Sequence, residues 1–172
     1  LQTVPGVRER FWDMFVTDAF IKNPDRNNGN WGLLMDAACT YELAPVYDLG
    51  SSLFSKRSPS LAESRLSDED EIEQDAFGTN VSCYRLPTEN GRGRAIHPFE
   101  YLASTRNPDL DAAVVRFVEA VDLGAVCAVI DSVPAEAFGR PLMTEGVRSS
   151  HKLLVRRRLE EGFLPVYRRI VG

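Results

Sequence analysis

Asn23-Pro24-Asp25-Arg26-Asn27-Asn28-Gly29-Asn30, followed downstream by Tyr47-Asp48-Leu49-Gly50-Ser51, is the pair of segments around which this chain organises itself. Proline at 24 disfavours helical geometry at Asn23, so a helix arriving from the N-terminal side stops there and the polar run 25–30 is a loop. Such a helix is predicted over residues 7–22, where Phe11, Met14, Phe15, Ala19 and Phe20 recur at three- and four-residue spacing, the pattern of one buried face. On the other side, residues 31–36 and 41–47 read as two short strands joined by a tight connection. The order is helix, polar loop, hairpin and Asp-x-Gly turn, with 23 residues from Asp25 to Asp48.

The 172 residues suit one domain, or one lobe of a larger one, and 44% apolar residues supply a sizeable core. A formal net charge of −5 argues against a dominant nucleic-acid surface, and no direct nucleic-acid contact is expected. Cys39, Cys83 and Cys127 are an odd count without C-x-x-C spacing, which indicates neither a disulfide framework nor a zinc site and fits a reducing cytoplasm. Their equal separations of 44 residues come with dissimilar flanks and are read as chance. The longest apolar stretch, residues 112–130, is broken by Arg116, Glu119 and Asp122, so neither a membrane span nor a signal peptide is expected. The chain begins at Leu1 rather than Met, as if cut from something longer.

After Gly50 the residues Ser51, Ser52, Ser55, Ser58 and Ser60 with Lys56 and Arg57 have the profile of a mobile loop. The acidic run 68–71 reads as a solvated helix start, and residues 88–94 as a turn in which Gly91-Arg92-Gly93 is too incomplete for a phosphate loop. The C-terminal third is predicted helical over residues 109–123, 125–132, 134–138 and 147–170, the third of these on the strength of Ser132 and Pro134 as start signals. Arg156-Arg157-Arg158 and Arg168-Arg169 read as a solvated face or as partners of the acidic excess.

Phosphoryl transfer leaves little covalent work to a protein: it requires a carboxylate near the attacking hydroxyl and oxygen ligands that hold magnesium against the phosphates. Asp25 stands five residues before Asn30, the spacing at which a kinase loop carries its base and its amide metal ligand. Asp48 follows a strand and precedes Leu49-Gly50, where glycine is expected to permit a sharp turn beyond a metal-binding carboxylate. Hard oxygen donors of this kind suit Mg2+ rather than zinc. Arg26 is read as bracing the loop against a carboxylate in preference to contacting a phosphate. Lys22 is open to two readings, approaching the γ-phosphate or closing the helix at its negative end. Trp31 is expected in core packing rather than stacked on a nucleotide, and His97 and His151 as structural histidines.

These residues resemble the HipA-like serine/threonine kinases, including the CtkA-type branch, through residues 23–32 and through Leu43-Ala44-Pro45-Val46-Tyr47-Asp48-Leu49-Gly50-Ser51-Ser52, a resemblance specific over residues 9–54 and thin beyond them. The resemblance implies a fold that is mainly α with a small β-hairpin, the C-terminal lobe of a protein kinase spanning 1–172, with a catalytic loop at 23–30, a metal-binding turn at 48–50, an activation segment at 51–80 and a helical remainder at 97–172. It implies Asp25 as catalytic base, Asn30 and Asp48 as Mg2+ and ATP ligands, and Gly50 as a supporting residue. Leu49 replaces the phenylalanine of the kinase Asp-Phe-Gly triplet, and Asn27 stands where the family often has histidine. Ser51 and Ser52 become candidates for autophosphorylation. The implied activity is transfer of the γ-phosphoryl group of ATP to a protein hydroxyl. The glycine-rich loop and strand lysine of the N-terminal lobe are absent from the 24 residues before Asp25, so the 172 residues alone are expected to be inactive. The implied partners are a protein substrate, that N-terminal lobe and an antitoxin-like regulator. The competing readings are a phosphoinositide-type or small-molecule kinase and a non-catalytic toxin or interaction module.

Overall fold

The computed structural model describes residues 4–78, 82–89 and 91–172. Leu1, the last two residues of the expected activation segment (79 and 80) and residue 90 of the expected 88–94 turn lie outside the described residues. The fold is mainly helical with small antiparallel strand pairs, as the pattern predicts.

Helix α1 (Val7–Phe20) buries Met14, Phe15, Val16, Ala19 and Phe20, close to the predicted face. It packs along α5 (Pro108–Ala120), whose Leu110, Ala113 and Val114 are buried. Asn107 starts α5 by accepting from the amides of Asp109 and Leu110, and Pro108 sits in the first turn, where its missing N–H costs little. The predicted hairpin forms as β1 (Leu33–Met35) against β2 (Tyr41–Leu43), in register Leu33 with Leu43. It is mostly exposed, so its backbone ladder and the Asp36 side chain, which accepts from Ala38 N and Thr40 N, hold the turn more than burial does.

Two expectations are corrected. The serine-rich stretch is not wholly loop: residues 52–54 form a 3-10 turn and α2 (Pro59–Arg65) begins at Ser58, whose hydroxyl accepts from Leu61 N. The expected activation segment also contains α3 (Glu69–Phe77), capped by Asp68 through the amides of Asp70 and Glu71, so the acidic run is a helix start, as expected. Residues 134–138 are not a helix. Beyond β3 (Arg85–Leu86), β4 (Arg94–Ala95), α4 (Pro98–Ser104) and α6 (Leu123–Ser132), the segment gives β5 (Glu136–Ala137), which turns through Phe138 and Gly139, both at positive φ, into β6 (Arg140–Pro141). A helix cannot run through two left-handed residues, and Ser-x-Pro marks a turn as readily as a helix start.

The last predicted helix is real but interrupted. Helix α7 (Glu145–Arg157) passes into a π-helical turn, Arg158–Phe163, and then α8 (Leu164–Val171). The π turn brings Arg158, Leu159, Gly162 and Phe163 inward together. Gly162 is required there, since a Cβ would lie 2.3 Å from Phe99 Cε1. The core joins Phe15, Val16, Phe20, Leu102, Val114 and Phe163 with Tyr84, and Phe15 and Tyr84 meet edge to face at 5.0 Å. Each large apolar side chain withdrawn from water contributes about 1.5–3 kcal/mol.

The basic residues of this last segment divide. Arg157 pairs with Glu69, Glu73 and Glu161, and Arg169 with Asp111, as partners of the acidic excess. Arg158 is 2% exposed, which corrects its reading as part of a solvated face.

Candidate active site

Helix α1 ends by a specific local device. Ile21 N donates to Thr17 O, Lys22 takes a left-handed φ of 52°, and Asn23 N reaches back to Asp18 O at 2.8 Å. This reverses the chain so that Pro24 leaves the helix and the loop folds back over Asp18.

Asp18 is the node of the site. It is 3% exposed, on the buried face of α1, and its carboxylate accepts four hydrogen bonds. Arg26 supplies two in a fork, Nε to Oδ2 at 3.0 Å and Nη2 to Oδ1 at 3.1 Å. Asn23 Nδ2 and the Tyr84 hydroxyl supply the others, each at 2.9 Å. Burial, then the charge of Asp18, pushes the Tyr84 hydroxyl well above its ordinary value, so it stays a donor. Burial works against the charge of Arg26, but the hydrogen bonds and charge of Asp18 outweigh it and raise the guanidinium above its usual range.

The remaining arm of Arg26 joins the two motif segments. Its Nη1 donates to Asn30 O and to Tyr47 O, both at 2.5 Å. The residue preceding Asp48 and the last residue of the 23–30 loop therefore share one guanidinium nitrogen, and the Tyr47 hydroxyl adds a bond to Gly29 O at 3.1 Å.

Within the loop, Asn30 is buried and donates from Nδ2 to Asp25 O at 2.6 Å, which leaves its Oδ1 as the atom with lone pairs to offer. Asp25 is exposed, and Asn27 Nδ2 donates to its Oδ1 at 2.9 Å while Asn27 Oδ1 accepts from Gly29 N at 2.8 Å. Asn27 thus orients the Asp25 carboxylate with a neutral donor. Asp48 is exposed and itself adopts φ 56°, so the strained residue of the turn is the aspartate rather than Gly50. A Cβ on Gly50 would meet Asp48 Oδ1 only at 3.8 Å, an ordinary contact, which corrects the expectation that glycine is what allows the turn.

The flanking residues fall as follows. Lys22 sets its ammonium 3.7 Å from the ring centre of Phe54, with Arg57 on the same ring, and burial, then repulsion from Arg158, lowers it to about 7. Leu53 N donates to Ile21 O, tying the 3-10 turn to the end of α1. Ser51 is half-buried, and the Ser52 hydroxyl oxygen is buried with no hydrogen-bond partner among the described residues, so in this conformation it is not presented to a second molecule. Trp31 is half-buried in a groove with Phe11 and Arg116, outside the core cluster in which it was expected. His97 precedes α4 without a capping bond, and burial lowers His151. Cys39, Cys83 and Cys127 are free.

Among the described residues no group of three His, Cys, Asp or Glu side chains could hold a metal by itself. The donors on offer are an amide oxygen and one carboxylate, on two segments whose backbone carbonyls at Asn30 and Tyr47 share Arg26 Nη1; hard oxygens of this kind suit Mg2+ with the rest of the shell left to phosphate oxygens and water. Sequence reasoning missed Asp18 and Tyr84. Asp18 carried a signal, a carboxylate between Phe15 and Ala19 on an apolar face, whereas Tyr84 lies 66 residues away and carried none.

A helical lobe with a short hairpin, an Asp-Arg-Asn-Asn-Gly-Asn loop and an aspartate turn clamped to it belongs with the kinases in architecture. The particular likeness is to CtkA. The chain is 32% identical over 128 residues to the serine/threonine-protein kinase CtkA of Helicobacter pylori, covering 72% of this chain and 37% of that protein. Its fold matches the crystal structure of a Helicobacter pylori proinflammatory kinase CtkA with a TM-score of 0.81 at 27% identity, over 95% of this chain and 53% of that one. No family model matches. The chain is homologous to the CtkA-type serine/threonine kinases in sequence and fold, and it spans about a third of the length of the curated relative. Among the described residues no helix is long and apolar enough to cross a membrane.

Proposed function

We propose that this chain carries the catalytic base and the metal-ligand side of a serine/threonine kinase that moves the γ-phosphoryl group of ATP to a protein hydroxyl. The observation that supports this most is the single Nη1 of Arg26 on both Asn30 O and Tyr47 O, which ties the loop to the aspartate turn. A scaffold needs no such registration of the loop that carries Asn30 with the turn that carries Asp48. In this reading Asp25, oriented by Asn27 Nδ2 donating to Asp25 Oδ1, accepts the proton of the attacking hydroxyl. Asn30, through its Oδ1, and Asp48 are the protein's ligands to Mg2+. Bound Mg2+ neutralises charge on the transferring phosphoryl group, and positioning does most of the remaining work. Asp18, Asn23 and Tyr84 hold Arg26 and touch no reactant; they are positioning residues. An antitoxin-like regulator and a cytoplasmic setting belong to the same proposal.

Protein expressed from the full coding sequence, incubated with γ-labelled ATP and Mg2+, is expected to label serine or threonine in itself or in an added protein. Magnesium-dependent ATP binding is expected to be lost in Asp48→Ala. Label found in phosphoinositide, with protein unlabelled, would replace this reading by a lipid kinase.

A further inference from the structure

The backbone strain of this molecule collects in one place. Six non-glycine residues have positive φ among the described residues, and four of them, Lys22, Asp48, Leu53 and Phe54, frame the catalytic loop and the 3-10 turn that follows the aspartate turn. The Ser52 hydroxyl oxygen and Nδ1 of His151, whose ring meets the backbone of Leu53, are buried without a hydrogen-bond partner among the described residues and add to the cost of that turn. Left-handed residues other than glycine persist only where their surroundings over-determine them, and they gather at functional sites.

What holds this turn runs from side chain to side chain. Ser52 N donates to Leu49 O at 3.1 Å and Ser55 Oγ to Gly50 O at 2.6 Å, which tie the 3-10 turn to the aspartate turn. Lys22 Nζ and the guanidinium carbon of Arg57 each stand 3.7 Å from the ring centre of Phe54; two groups at that height cannot share one face, so the ring is held between them. Arg57 is fixed in turn by Asp75 of α3, which accepts from its Nη1 and, at 2.8 Å, from its Nη2. Arg65 of α2 brings a second fork to the same carboxylate, Nε to Oδ2 at 3.1 Å and Nη2 to Oδ1 at 2.9 Å. The Arg57 and Asp75 side chains are only 12% and 13% exposed, so water does little to weaken the pair. Burial works against the charge of Asp75, but the hydrogen bonds of Arg57 and Arg65 outweigh it and hold the carboxyl below its ordinary value. Burial lowers Lys22 to about 7 and Arg158 to about 9, and the charge of Asp75 opposes the fall in both. One carboxylate thus serves cations from the end of α1, the 3-10 turn's far side, α2 and the π turn.

Two guanidinium forks on one anion is the arrangement by which a phosphorylated side chain orders a loop, and here the anion is encoded in the sequence. We propose that Asp75 is a positioning residue for phosphoryl transfer: through Arg57 and Phe54 it holds the 3-10 turn against Lys22, and so sets the Asp48 turn beside the 23–30 loop, with no phosphate on the segment between. Asp75 touches no reactant, and its role rests on the kinase reading of Asp25, Asn30 and Asp48 given above.

The test uses protein from the full coding sequence, free of phosphate by intact mass and isotope-labelled at lysine. The Phe54 ring current is expected to displace the Lys22 Hε resonance upfield in the parent. Asp75→Asn is expected to lose that displacement and to lower turnover about tenfold or more while KM for ATP stays within about twofold, because Arg26 still joins the two segments that carry Asn30 and Asp48. Arg57→Met breaks the same path and leaves Asp75 in its fork from Arg65, so it is expected to do the same, and it decides the matter where Asp75→Asn does not fold. Arg169→Met breaks another partly buried ion pair, with Asp111, and is expected to leave both the resonance and the turnover unchanged. The upfield position kept in Asp75→Asn and Arg57→Met, that position gained only after phosphorylation, turnover of both variants at the parent rate, or an equal loss in Arg169→Met would overturn the proposal. A parent that transfers no phosphate would overturn the kinase reading itself, and the proposal with it.

Discussion

Arg26→Met removes four hydrogen bonds at one stroke: the fork to Asp18 and the two donations to Asn30 O and Tyr47 O. Deleting one member of a buried ion pair costs about 3–5 kcal/mol, because the other charge stays in place without its partner. Asp18 keeps Asn23 Nδ2 and the Tyr84 hydroxyl, which holds the cost near the lower end. The two carbonyls each lose a charged donor, adding about 1 kcal/mol between them. The sum is about 4 kcal/mol, or a fall in Tm of roughly 8–16 °C for a chain of this size. Urea unfolding followed by the fluorescence of Trp12 and Trp31 measures it. The change is expected to be local as well as global: amide hydrogen exchange should rise in residues 23–31 and 47–50, because Arg26 bonds both segments to α1. Asp18→Asn, which sets an amide NH2 against two of the four donors and leaves the buried Arg26 charge unpaired, should cost a comparable amount. An Arg26→Met protein within about 0.5 kcal/mol of the parent, with exchange unchanged in both segments, would refute the account of how the site is held.

Lys22→Met should stabilise the protein more at pH 6 than at pH 10. The folded value of Lys22 is about 7 and the ordinary value is 10.5, so the unfolded chain binds the extra proton between them. The cost of charging Lys22 is full below pH 7 and fades as the pH rises toward 10.5; after allowance for solvent screening, the difference in stabilisation between pH 6 and pH 10 should be about 2 kcal/mol, read by urea unfolding at each pH. Gly162→Ala drives a Cβ into Phe99 and should cost about 1–2 kcal/mol net of its better helix propensity. Gly146→Ala displaces the exposed Glu63 side chain and its bond from Thr144 Oγ1 but no core ring, and should cost less than Gly162→Ala, under about 1 kcal/mol, as thermal melts of the two variants should show. Asn27→Ala removes the donor on Asp25 Oδ1 and should lower phosphoryl-transfer turnover about tenfold while leaving KM for ATP within about twofold, in steady-state assays of the protein from the full coding sequence.

What was legible in the sequence was local. Pro24 announced the end of α1, the acidic run at Asp68 the start of α3, and the two short strand-forming runs at 31–36 and 41–47 the hairpin, because each depends on residues within a few positions. The short helix α4 falls within the helical remainder at 97–172 that the resemblance implies, but no periodicity marks it, since seven residues with only Leu102 fully buried give too little to read. The 134–138 segment misled because Ser-x-Pro opens turns and helices alike, and the deciding residues, Phe138 and Gly139, act through their left-handed backbone. Arg158 looked like its neighbours Arg156 and Arg157, and only the π turn distinguishes it by rotating it inward. The candidate site divides in the same way. Asp25, Asn30 and Asp48 stood out by spacing, whereas the Asp18–Tyr84 contact that holds Arg26 spans 66 residues and exists only once the chain has folded.

The most direct test of the central claim is phosphoryl transfer by Asp25→Ala in the protein expressed from its full coding sequence, beside Mg2+-dependent ATP binding by the same variant. Asp25→Ala is expected to bind ATP with Mg2+ about as well as the parent and to transfer phosphate about a hundredfold or more slowly, since it loses the proton acceptor and keeps Asn30 and Asp48. Transfer by Asp25→Ala at the parent rate would contradict the account.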